Sequence, residues 1–156
     1  MRNILLFLSM ILISTSSFAE KYDHIQYDKG FASSLSKMSV DEFYISMNKQ
    51  INVINTQFPK KIDLITTVNN LTLSHNEKSL NYNITLDIDS KSLNDINQIK
   101  SFFNNGYKKI RIEQICGRGF LRSWVEGGVI IRDIINDKNG CYLATVTINK
   151  LDCHKK

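Results

Sequence analysis

The chain has 156 residues, of which 42% are hydrophobic and 22% charged, with a formal net charge of +5 and three cysteines. That length suits a single domain around one core. Its basic residues gather only in small clusters, Lys60-Lys61, Lys108-Lys109-Arg111 and Lys155-Lys156, which excludes the dense stripe expected of a nucleic-acid binder.

The first segment reads as an export signal. Arg2 precedes an apolar run over residues 4–13, broken only by Ser9, and small polar residues lead to Ser17 and Ala19 at the −3 and −1 positions. Residues 1–19 are therefore predicted to be a signal peptide cleaved after Ala19, leaving a periplasmic or secreted protein. The run is shorter than the roughly 20 residues a spanning helix needs, so no stable membrane span is expected. No cysteine lies near the cleavage site, which argues against a lipoprotein. Removing the leader takes away Arg2 alone among the charged residues, so the net charge falls by one.

Residues 20–38 show no clear period and are expected to be a flexible N-terminal arm. The single domain then runs over 39–156. Ser39-Val40-Asp41-Glu42 is a capping box, and Val40, Phe43, Met47, Ile51, Ile54 and Phe58 follow at helical spacing up to Pro59. Ile62, Leu64, Thr66 and Val68 then alternate, and Leu71 and Leu73 resume in the other register, so a bulge is expected near Asn69-Asn70. After a turn at SHNEKS, Leu80, Tyr82, Ile84, Leu86 and Ile88 alternate as a half-buried strand.

A second helix carries Leu93, Ile96, Ile99 and Phe103 on one face, capped by Ser90 or Ser92 and interrupted at Asn104-Asn105-Gly106. The following YKKIRIEQIC reads as a resumed helix, with a short strand as the alternative. Next come GRGFLRSWVEGG and a last hairpin, residues 129–135 and 141–151 about the turn DKNG. The order predicts an α+β fold: a four-stranded antiparallel sheet of two hairpins, helices packed on one face, and one disulfide.

Cys141 and Cys153 at the two ends of one strand would stand about 40 Å apart, whereas a disulfide needs Cα atoms within about 7 Å. Cys116 must then choose its partner. Cys153 returns to the end of the sheet where residue 129 begins, close to Cys116 through the intervening helix. This favours Cys116–Cys153 over Cys116–Cys141. Cys141 is expected to be a buried or semi-buried thiol, a small core residue, with an intermolecular bridge or a reactive site as the alternative.

FPKKID, LNYNITL, CGRGFLRSWVEGG, DKNG and the closing DC together resemble a family of small exported bacterial proteins of unassigned function. The shared pattern is P-x-x-I-D-x-x-T, a cysteine before a short Arg-containing helix, D-x-x-G and a final cysteine, and it extends from Phe58 to Cys153. The resemblance implies the same Cys116–Cys153 pairing, because Cys141 falls outside the pattern.

Recognised chemistry is absent from the sequence. There is no G-x-S-x-G elbow, P-loop, HExxH or CxxC spacing, and His24, His75 and His154 sit in the arm, a turn and the tail. No metal, cofactor or catalytic residue is therefore expected. Asp87 and Asp89 share the polar face of a strand and read as solvated rather than as an acid–base pair. The N-L-T at Asn70 and N-I-T at Asn83 are incidental in a chain of this bacterial composition.

Arg118, Arg122 and Trp124 are the candidate partner-binding residues, since Trp and Arg are enriched at interface hot spots. The competing reading packs Phe120, Leu121, Trp124 and Val125 onto the sheet and leaves both arginines in water. The functional expectation is a non-enzymatic module that binds another protein, as an immunity or inhibitor protein against a toxin or hydrolase. The alternative is an accessory factor of an envelope secretion, pilus or conjugation apparatus.

Overall fold

A computed structural model describes residues 27–92, 96–117 and 119–154. The expected signal peptide, the start of the expected arm, Leu93 and Arg118 lie outside these residues. Two N-terminal helices, α1 (Lys29–Lys37) and α2 (Val40–Asn55), precede strands β1 (Lys60–Lys61), β2 (Thr66–Leu73) and β3 (Ser79–Leu86). A helical stretch follows: α3 (Ile96–Phe102), a π-helical turn (Phe103–Tyr107), α4 (Lys108–Gly117) and α5 (Gly119–Glu126). Strands β4 (Ile130–Asp137) and β5 (Tyr142–Ile148) and the short α6 (Lys150–His154) complete the described residues.

The class is α+β, but the sheet differs from expectation. It has five strands in the order β1-β2-β3-β4-β5 and is mixed, not four-stranded and antiparallel. The central pair, β3 and β4, runs parallel, with Leu80 beside Ile131 and Ile84 beside Ile135. Between them the chain passes through α3, α4 and α5, and such a long helical crossover can return it to the end from which β3 began. Alternating apolar residues look the same in a parallel and an antiparallel neighbour, so the pattern could not show this.

The extra strand arises where Ile62 and Leu64 imitate a continuation of β2. Asp63 instead accepts hydrogen bonds from the backbone N–H groups of Ile65 and Thr66 at 2.8 and 2.7 Å, turning the chain there. Lys60 then pairs with Val68. The expected bulge is present between Val68 and Asn70. Asn55 of α2 holds the strand just beyond it through both the N–H and the carbonyl of Leu71.

α2 forms as predicted. Ser39 and Glu42 make both halves of the capping box, and Phe43, Met47 and Ile51 are buried. The expected arm is corrected over residues 29–37, which form a docked helix. Asp28 caps it, accepting from Phe31 N–H at 2.9 Å, and Leu35 is fully buried. Gly127 lets α1 approach α5: a Cβ there would lie 2.6 Å from Leu35 Cβ and 3.0 Å from the Ala32 carbonyl oxygen. Lys78 Nζ donates to the Leu35 carbonyl at 2.9 Å, closing the other end of α1.

A single apolar cluster joins the strands' inward residues to α2, α3, the π turn, α4 and α5. α2 covers β2 at one side, while α3, the π turn and α4 lie over β5 at the other. The resumed-helix reading of YKKIRIEQIC is correct, although the expected interruption at Asn104-Asn105-Gly106 is a π turn that continues the helical path. The last strand stops at Ile148 rather than Leu151, because Asn149 and Asp152 start α6: Leu151 N–H donates to Asn149 Oδ1 and Asn149 N–H to Asp152 Oδ2.

Candidate functional site

The three cysteines behave as the hairpin geometry requires. Cys116, at the end of α4, is bonded to Cys153 in α6 with Cα atoms 5.4 Å apart, and Cys141 is a free, half-buried thiol. The disulfide ties α6 to the end of α4, just before α5 begins.

Trp124 lies on the inner side of α5 and is 4% exposed. The rings of Phe31, Phe43 and Phe120 surround it edge-on at 6.1, 6.0 and 5.9 Å between centroids. These are favoured aromatic geometries, and they make Trp124 the meeting point of α1, α2 and α5. Its hot-spot composition therefore reflects packing in this conformation. Arg122, two residues away, points outward with its guanidinium 5.3 Å from the Tyr27 ring and 3.8 Å from Glu126.

The most unusual chemistry is one that sequence reasoning missed. Asp133 stands on the helix-facing side of β4, fully buried between Ile131 and Ile135. Arg111 of α4 binds it twice, Nε to Oδ2 at 2.6 Å and Nη2 to Oδ1 at 3.0 Å. The Tyr107 hydroxyl donates to Oδ2 at 2.9 Å, and Arg111 Nη1 donates to Gln114 Oε1 at 3.1 Å. The π turn ends at Tyr107, and α4 carries Arg111 one turn later, so the irregular helix aims both groups at one carboxylate.

Burial opposes the charge on Arg111, but the Asp133 carboxylate outweighs it and holds the guanidinium above its ordinary value. Burial, reinforced by Asp133, pushes the Tyr107 phenol well above its ordinary value, so it serves here as a neutral donor. A signal was available: Asp133 shares the inward register of Ile131 and Ile135, and a charge there demands a partner.

Beside this pair, Tyr82 of β3 stays half-buried, with the Arg111 guanidinium 5.6 Å from its ring. Solvent thus reaches the helix-facing side of the central strands at Tyr82 and the rim of Arg111. A single, doubly bonded ion pair of this kind can orient a polar contact but supplies neither a nucleophile nor an unpaired base.

The remaining candidates do not converge. Asp87 is exposed and Asp89 accepts from the Lys91 N–H. His75 stacks on Tyr44 at 3.8 Å, His154 contacts Glu126, and His24 lies outside the described residues. Among the described residues no three His, Cys, Asp or Glu side chains form a metal-binding group, and no helix is long and apolar enough to cross a membrane.

Solved structures share this architecture. The type II secretion pilotin EpsS of Vibrio vulnificus aligns with a TM-score of 0.54 at 12% identity, covering 74% of this chain and 96% of its own. The pilotin AspS of the Vibrio cholerae type II system aligns at 0.50 and 12% identity, over 72% and 94%. A candidate secreted protein of Pseudomonas aeruginosa aligns at 0.60 and 14%, again over 72% and 94%. The chain shares its fold with type II secretion pilotins. No family model and no curated protein sequence matches it. The pilotin-like fold covers nearly the whole of each of these neighbours, and identities this low carry the architecture alone.

Proposed function

We propose that this protein is an exported, non-enzymatic accessory factor of an envelope secretion apparatus, acting by holding another protein of that apparatus. The observation that supports the reading is the end-to-end fold match with two type II secretion pilotins, 96% and 94% of their lengths. The signal peptide expected at residues 1–19 is in keeping with work in the envelope. An immunity or toxin-inhibitor role, the first expectation from the sequence, draws no support from these neighbours. The partner contact we suggest is the half-buried Tyr82 beside the Arg111–Asp133 pair, an aromatic residue of a type enriched at interface anchors.

The test is affinity capture of the C-terminally tagged protein, expressed with its own leader in its source bacterium and recovered from the envelope fraction. A stoichiometric secretion component is the expected partner, and Tyr82→Ala should weaken its recovery. Recovery of a toxin or hydrolase in its place would return the inhibitor reading, and a partnerless monomer would overturn both.

A further inference from the structure

The inward side chains of the sheet, such as Ile84, Ile135 and Val146, join the helices in the apolar core. Residues at the intervening positions point to the other face, and the strand register sets them in rows across β3, β4 and β5. Asn83, Ile134 and Thr145 stand side by side in one row. The paired Asn136 and Tyr142 adjoin it on one side, and the paired Arg132 and Thr147 on the other. All of these are half-buried except Tyr142, which is 61% exposed. The one cation in these rows, Arg132, is held by both carboxylate oxygens of Glu77, with Nη2 2.9 Å from Oε2. Asn83 Nδ2 donates to Asn70 Oδ1 at 2.6 Å and to Thr72 Oγ1 at 3.3 Å, which fixes the orientation of its amide. Among the described residues no side-chain hydrogen bond engages Asn136, Thr145 or Thr147.

We infer that this outer face of β3–β5 binds a glycan strand of N-acetylated sugar units. An acetamido group carries a methyl, a carbonyl and an N–H together. Ile134 gives the methyl an apolar seat, Asn83 Oδ1 accepts from the N–H, and the Thr145 hydroxyl donates to the carbonyl. A sugar with hydroxyls alone would leave Ile134 without a matching group. Asn136 and Thr147, on either side of that row, offer donors and acceptors to ring hydroxyls. The exposed Tyr142 ring presents an apolar face to the C–H side of a sugar, with its hydroxyl left in water. A phosphate-bearing ligand would need a free cation, and Arg132 is already taken by Glu77. A protein would find little to anchor on, because Thr is under-represented among interface hot spots and interface cores are more apolar than this face. The sheet holds adjacent groups about 4.8 Å apart before a ligand arrives, which lowers the ordering cost of binding. The inference does not depend on the secretion role, and either can fail without the other.

The experiment is a titration of the exported, oxidised protein with chitohexaose, followed by amide proton–nitrogen NMR spectra. Maltohexaose, which has no acetamido groups, is the comparison. Saturable shifts confined to β3, β4 and β5 are expected with chitohexaose and not with maltohexaose. Tyr142→Ala should bind roughly fivefold more weakly, in keeping with the loss of one aromatic contact. Thr145→Val, which keeps the shape and removes the hydroxyl, should weaken binding by a similar factor of roughly five. Lys49→Gln on α2 should bind as the parent does. The same spectra show that each variant is folded. Absence of saturable shifts at about 10 mM sugar, where even a complex with a Kd of about 1 mM is mostly filled, would overturn the inference. Shifts centred on another face, an equal response to maltohexaose, or undiminished binding by both folded variants would overturn it as well. So would an envelope protein whose capture Tyr142→Ala abolishes, which would make this face a protein interface.

Discussion

Arg111 and Asp133 meet in the core through two hydrogen bonds of 2.6 and 3.0 Å, one partner on the first turns of α4 and the other on the central strand β4. The pair ties the helical crossover to the sheet it spans. Removing one partner leaves a buried charge, so Asp133→Asn or Arg111→Met should each cost about 3–5 kcal/mol. Arg111→Met combined with Asp133→Leu removes both charges and should recover much of that loss. Urea unfolding midpoints of the three variants decide the matter. A double variant no more stable than either single one would mean that the pair does more than satisfy itself.

Gly127 and Leu35 set the position of α1. Because a methyl group at Gly127 would come within 2.6 Å of Leu35 Cβ, an atom fixed to the backbone, Gly127→Ala must push the whole helix away. Overpacking of this kind typically costs about 1–3 kcal/mol. Trp124 reports the shift, since Phe31 of α1 forms one wall around it. The variant should show red-shifted tryptophan emission and faster tryptic cleavage at Lys37. Unchanged emission and cleavage would show that α1 accommodates the methyl in place.

What could be read from the sequence was local. Ser39 and Glu42 announce α2 because a capping box is complete within four residues, and the change of register at Asn69-Asn70 announces its own bulge. The disulfide was accessible because chain geometry left Cys116 little choice. The direction of β4 against β3 was not, since residues 80–86 and 131–135 alternate identically whichever way they run. β1 was hidden because Ile62 and Leu64 keep the strand period while Asp63 turns the chain. At the site, Arg111 looked like part of a solvated basic cluster, and its partner lies 22 residues away on another element. Only the inward register of Asp133 hinted at the pair. Trp124 and Arg122, adjacent in the sequence pattern, go to opposite sides of α5, which burial rather than composition decides.

The disulfide closes a loop of 37 residues, which in the chain-entropy account is worth about 4 kcal/mol. Cys153→Ser, or reduction of the native protein, should lower stability by an amount of that order and leave α6 held to the domain by contacts such as Lys108–Asp152 and Glu126 with Lys150 and His154. Alkylation of the unfolded, unreduced protein should add one label, at Cys141, and reduction should raise this to three. A different count would overturn the pairing.

Asp137 closes the β4–β5 turn and also fastens the approach to α3. Its carboxylate accepts from the Ser90 hydroxyl at 2.6 Å, from the backbone N–H groups of Cys141 and Asn139 at 2.7 and 2.9 Å, and from Ser90 N–H at 3.2 Å. The Ser90 hydroxyl contributes most to drawing its pKa from 3.8 down to about 2, with the backbone donors adding to it. Because the folded value lies below the unfolded one, the carboxylate stabilises the fold fully above 3.8, and that contribution is lost as the pH falls through about 2. Asp137→Asn should therefore be less stable than the parent at neutral pH, and the gap should narrow as the pH approaches 2. Urea midpoints measured across that range test the assignment. A gap that stays constant would mean that the turn geometry, rather than the charge, carries the stabilisation.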